Sequence, residues 1–141
     1  VSMWVNADNV TVSNLLSNTS GGPVTNAFGF DSSKIHYRNY DGAWQLHNGS
    51  TTLTTGKWYH LTWVNYAGAS ASEGTMKMYV DGVADSSAFN SYATNGGPCN
   101  AIGSNWFSKF NGRIASCHFY DESLTDAQIQ QNYNANVKKF T

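Results

Sequence analysis

The chain is poor in charge. Only 12% of its 141 residues are Asp, Glu, Lys or Arg, about half the usual globular share. Proline and cysteine occur twice each, and glutamate only as Glu73 and Glu122. Ala, Leu, Glu and Lys are not present in the quantity a helical bundle needs. Eight basic residues against nine acidic ones give a net charge of -1. That leaves no basic stripe, which argues against nucleic-acid binding. No apolar run reaches the ~18 residues of a membrane helix, so membrane insertion is not expected. The sequence starts at Val1 in a strand pattern, and no signal peptide is expected there.

Small polar residues fill the space that charge leaves. There are 16 Ser, 12 Thr, 16 Asn and 13 Gly, while aromatics reach 14% with five Trp. The aromatics and β-branched residues can bury area, which argues against disorder. The length fits one domain, 1–141. Low charge with many Ser, Thr and Asn suits an extracellular or virion-surface protein. Three Asn-x-Ser/Thr sequons, at Asn9, Asn18 and Asn48, arise easily by chance in so Asn-rich a chain and carry no weight.

Alternation dominates the patterning. Val1, Met3 and Val5 alternate with Ser2, Trp4 and Asn6, predicting a half-buried strand. Ala27–Phe30 and Lys34–Arg38 predict two strands joined through Asp31-Ser32-Ser33. Asp41-Gly42 and Asn48-Gly49 are turns flanking Ala43–His47. The clearest strand is Lys57–Tyr66. Tyr59, Leu61 and Trp63 share one face; Trp58, His60, Thr62 and Val64 share the other. Apolar bulk on both faces makes it a central strand, with Trp58 and Trp63 in the core. Met76, Met78 and Val80 lead into Asp81-Gly82, a type I′ hairpin signal. Ala101–Ser104 and Arg113–Tyr120 predict the last strands.

The period changes at the C-terminus. Thr125 and Gln128 form a capping-box pattern, with Leu124 and Ile129 at the staple positions. This predicts one helix over 126–134, docked by Leu124, Ile129 and Tyr133. Many short strands with one closing helix predict an all-β sandwich or jelly roll.

Four pieces in order carry a family resemblance. They are Gly56-Lys57-Trp58-Tyr59-His60-Leu61; Lys77 to Gly82; Ala101-Ile102-Gly103-Ser104; and Asn111-Gly112-Arg113-Ile114 running to Asp121 and Ser123-Leu124-Thr125. The chain resembles the laminin G-like branch of the concanavalin A-like lectin/glucanase superfamily. Its C-terminal stretch, Ser123–Tyr133, is similar to bacteriophage and marine bacterial members. The resemblance implies a jelly roll of two antiparallel sheets that binds sugars, proteins or cell surfaces. It allows calcium as a cofactor. It also implies strands before Val1 that this sequence does not carry, leaving an open sheet edge there for a homo-oligomer or a neighbouring chain. Where relatives often carry an Asp-Glu pair after the Ile, this chain has Ala115 and Ser116, which removes a carboxylate linked to calcium in those relatives.

The candidate chemistry follows from residue types. Glycoside hydrolysis needs two carboxylates flanking the bond, and neither Glu73 nor Glu122 has an acidic partner two residues on. No enzymatic activity is expected. Sugar binding needs an aromatic platform beside polar side chains. Tyr37, Tyr40, Trp44 and His47 offer one, and Asn105 with Trp106 another; Trp44 and Trp106 also fit as caps on the core edges. For metal, Asp8, Asp31, Asp41, Asp85 and Asp121 are scattered, and no Asp-rich loop supplies six ligands. If residues 100–104 paired antiparallel with 112–116, Cys99 would face Cys117 and a cross-strand disulfide would fit. A bulge near Ala115-Ser116 would shift that register. The expected function is a carbohydrate-binding or adhesion module. The alternative is a structural or decoration domain of a virion or extracellular assembly, binding protein.

Overall fold

The computed structural model describes residues 1–18, 26–40, 42–66, 74–91, 99–103 and 109–140. Among these, eleven strands form two antiparallel sheets, and one helix follows them. The strands are β1 (Ser2–Ala7), β2 (Val12–Ser17), β3 (Asn26–Asp31), β4 (Lys34–Tyr40), β5 (Trp44–Asn48), β6 (Trp58–Tyr66), β7 (Thr75–Val80), β8 (Val83–Ala84), β9 (Phe89–Asn90), β10 (Ala101–Ile102) and β11 (Gly112–His118). Sheet I runs β11-β1-β6-β7-β8, with β9 also on β7; sheet II runs β10-β2-β3-β4-β5. This is the jelly-roll sandwich expected from the alternation and the turn signals.

The core lies between the sheets. Met3, Val5, Leu61, Trp63, Met76 and Met78 from sheet I meet Leu15, Phe30, Ile35 and Tyr37 from sheet II. Trp63 also donates its indole N–H to the His36 carbonyl at 3.1 Å, tying one sheet to the other. That bond satisfies a polar atom the core would otherwise strand.

Two hairpins use left-handed turns that match strand twist. Asp81 and Gly82 have φ of 52° and 83°, as Asp-Gly predicts. Ser32 and Ser33 reach φ of 52° and 62° without glycine. Their conformation is held from outside the turn. The N–H groups of Ser32 and Ser33 donate to the carbonyls of Thr11 and Val10, and the Ser33 carbonyl accepts from Leu53.

β1 departs from expectation. All six of its residues are buried, because β11 and β6 flank it and its outer face is covered. The edge beside Val1 is therefore closed, and no partner chain can complete the sheet there. Among the described residues, the edges of sheet I are β11 on one side and β8 with β9 on the other; those of sheet II are β10 and β5. A register shift opposite Trp4 and Val5 leaves Ala115 as the extra residue of β11, the bulge expected near Ala115-Ser116.

The expected pairing of residues 100–104 with 112–116 does not form. β10 pairs with β2, while β11 pairs with β1 in the other sheet. The two strands therefore lie in different sheets and form no hairpin. Both cysteines are free thiols, so the disulfide expected from that register is corrected. Burial pushes the Cys99 thiol up to about 11.

The C-terminal segment covers sheet I. Helix α1 (Asp126–Asn136) begins at a complete capping box between Thr125 and Gln128 and extends two residues past the expected end. A 3-10 turn, Val137–Lys139, follows. Ile129 is fully buried with Val64 and Tyr79, and Leu124 packs against them as the staple predicts. Tyr133 and Phe140 stack on Trp4, with ring centroids at 5.7 and 4.3 Å. Phe140 also lies 5.0 Å from Trp58. Trp63 is thus in the inter-sheet core as expected. Trp58 is on the outer face, half-buried beneath the C-terminus.

Candidate functional site

The β4–β5 pairing sorts the expected sugar-site residues by face. Tyr40 pairs with Trp44, Arg38 with Leu46, Tyr37 with His47 and His36 with Asn48. Side chains alternate along each strand, so Tyr37 and His47 point inward while Arg38, Tyr40, Trp44 and Leu46 point outward. The structure therefore divides the four residues between two environments.

The inward pair is structural in its contacts. Tyr37 is buried, and its hydroxyl donates to Asn26 Oδ1 at 3.0 Å. Burial holds that phenol well above its ordinary pKa. His47 stacks on Phe89 at 4.0 Å, and burial lowers its pKa.

The outward pair forms a platform. Tyr40 and Trp44 meet edge to face, 5.4 Å apart at 69°. The Arg38 guanidinium lies 5.2 Å from the Trp44 ring centroid, within cation–π range. Trp44 is 43% exposed and Leu46 63%. Next to them runs a polar row. His36 Nδ1 and Asn48 Oδ1 are 2.8 Å apart, and the Asn48 amide donates to Asp31 Oδ2 at 3.1 Å. Burial lowers the His36 pKa, opposed by the Asn48 bond and by Asp31. The imidazole is then neutral at pH 7, with Nδ1 donating to Asn48 Oδ1 and Nε2 left as an acceptor.

Small residues lower the surface beside this row. On β3, Ala27 and Gly29 pair with Arg38 and His36. A Cβ at Gly29 would collide with the Ser13 carbonyl oxygen, so glycine is required for β2 to approach. Among the described residues, no helix covers this face. The chemistry available is an apolar ring wall, a guanidinium and a line of amide, imidazole and carboxylate groups. Arg38 and Leu46 were not singled out from sequence. Their place beside Trp44 depends on the β4–β5 register, which only a fold supplies.

The remaining expectations fall elsewhere. Asn105, Trp106, Asp41 and Glu73 lie outside the described residues. Asp85 accepts bonds from the Ser50 and Thr51 N–H groups and from the Thr51 hydroxyl. Asp81 accepts from the His60 N–H at 2.9 Å. These carboxylates are committed to loops and turns. Among the described residues no three His, Cys, Asp or Glu side chains stand together, and Ala115 and Ser116 bring no carboxylate to β11. The described residues do not fit a calcium ion.

Comparison with known proteins agrees with the fold. Residues 1–130 match a laminin G family model of the concanavalin A-like lectin/glucanase superfamily. No curated protein matches the chain in sequence. Among solved structures, the chain is similar to domain 4 of AbnA, an extracellular GH43 arabinanase from Geobacillus stearothermophilus, in complex with arabinotriose. The TM-score is 0.61 at 20% identity, over 92% of this chain and 63% of that one. At this identity the likeness is one of fold, and the chain spans under two thirds of its neighbour. The jelly roll and the family match together place the chain in the concanavalin A-like lectin/glucanase superfamily, as a laminin G-like domain.

Proposed function

We propose that this domain is a non-catalytic carbohydrate-binding module whose site is the outer face of β3, β4 and β5. The observation that carries this reading is the exposed Trp44 ring, with Tyr40 edge to face and Arg38 against it, on a face that no described helix covers. A sugar ring would lie on Trp44 through its apolar face. Its equatorial hydroxyls would bond to Arg38, Asn48 and His36. The complex of the arabinanase domain with arabinotriose supports testing arabino-oligosaccharides first. That neighbour belongs to an extracellular enzyme, which supports an extracellular or surface-displayed setting for this chain too.

A second reading rests on Leu46. An exposed leucine beside an exposed tryptophan on edge strand β5 also suits a protein partner, as a structural or decoration domain would use.

A glycan array separates the two readings. Wild-type protein binding a defined set of glycans, with binding lost in Trp44→Ala, supports the sugar site. A folded protein that binds no glycan on the array overturns it in favour of the protein partner. The same array run with a chelator is expected to be unchanged.

A further inference from the structure

A second polar recess lies on the other side of the molecule, between sheet I and the C-terminal helix. Its volume is about 200 Å³. Its floor is Ser2, Trp4 and His60, on β1 and β6. His118 and Tyr120 form an exposed rim, and Asn132 and Asn136 of α1 close it from above. None of these side chains carries a fixed charge.

Its polar groups are incompletely used. The Trp4 indole Nε1 and the His60 Nδ1 are buried and have no hydrogen-bond partner. Trp4 is 4% exposed and His60 3%. Buried polar groups are normally bonded, and a cluster of exceptions calls for a reason. Where partners exist they are shared along the rim. The Tyr120 hydroxyl lies 3.2 Å from Ser2 Oγ and accepts from the Asn132 amide at 3.3 Å.

The shape limits what can enter. Phe140 and Tyr133 stack on the Trp4 ring, and His60 tilts against it at 5.2 Å. The Trp4 ring is engaged by these three and is not a free stacking platform. We propose that this recess is a second ligand site, holding one neutral, pentose-sized sugar ring by hydrogen bonds. The lining supports the class of ligand. Hydroxyl, carboxamide, indole and imidazole groups suit hydroxyls that both donate and accept, and the absence of charged side chains gives an ionic ligand no partner. Burial and the nearby His118 lower the His60 pKa to about 4, so its ring is neutral at pH 7. The volume admits a single ring. This site is independent of the platform on sheet II.

The test is a titration of ¹⁵N-labelled protein with L-arabinose, D-xylose and arabinotriose, read at the indole N–H resonances of the five Trp. The expected result is a saturable shift of the Trp4 resonance with a pentose. Trp44→Ala should retain it, which separates this site from the sheet II platform. Asn136→Leu should weaken it about tenfold or more while the melting temperature holds. Response to the pentoses alone assigns a free monosaccharide; response to arabinotriose as well assigns the terminal unit of a chain. A Trp4 resonance unmoved by all three sugars overturns the proposal, and so does a shift of equal affinity in Asn136→Leu. Either result makes the recess a water-filled gap beneath the helix.

Discussion

The outer faces of the two sheets begin from similar materials and end differently. On sheet I, Trp4 and Trp58 point away from the core, with His60 between them in the row. On sheet II, Trp44 and Tyr40 do so, with His36 and Arg38 nearby. The first face lies beneath α1 and Phe140, so Trp4 is 4% exposed. The second lies beneath no described helix, and Trp44 is 43% exposed. An outward aromatic on a β-strand becomes core or surface according to whether a third layer exists. The capping box at Thr125 and the staple at Leu124 and Ile129 supply that layer for sheet I alone.

The contrast can be broken first on the covered face. Trp4→Ala should cost about 3–5 kcal/mol, the usual cost of truncating a buried aromatic. The check is urea unfolding at pH 7, where the midpoint should fall steeply. A loss under about 1 kcal/mol would mean that the C-terminal layer is not packed as described.

Acid sharpens it next. The folded-state pKa of His60 is lowered from 6.5 to about 4, by burial first and His118 second. The unfolded chain therefore takes up a proton that the folded one refuses. Stability is fully present above pH 6.5 and falls as pH drops toward 4, by on the order of 3 kcal/mol. His36 and His47 shift in the same direction, mainly through burial. Stability measured against pH should show this slope in the wild type and a shallower one in His60→Phe.

The layer itself can be loosened. Thr125→Ala removes the side-chain oxygen that accepts from the Gln128 N–H and should cost about 1 kcal/mol. Thermal melts with and without the substitution check it. The smallest effect belongs to Trp44 on sheet II. Trp44→Ala should change stability by no more than about 0.5 kcal/mol, because the ring is not packed on both sides.

Much of the fold was legible from local pattern. Lys57–Tyr66 alternates apolar bulk on both faces and is central, between β1 and β7. Asp81-Gly82 turns as Asp-Gly does, and Thr125 with Gln128 caps a helix that differs from expectation only by two residues at its end. What failed was long-range. The start of the chain reads as an edge strand, yet β11 returns from more than 100 residues away to cover it. Cys99 and Cys117 satisfy a hairpin register, yet the chain changes sheets between them. No local periodicity encodes either event. The site was legible in part. Tyr40 and Trp44 stand together as expected, whereas Tyr37 and His47 turn inward. Period-2 alternation separates Tyr37 from Tyr40 by an odd number of positions, so that division was available from the spacing alone. Arg38 and Leu46 needed the register.

The most direct test is a paired measurement on Trp44→Ala: calorimetric affinity for the glycan that wild type binds best, and melting temperature of the same sample. The account predicts affinity weakened about tenfold or more, with the melting temperature unchanged. Unaltered affinity in a folded variant would contradict it and move sugar binding away from the Trp44 face of sheet II.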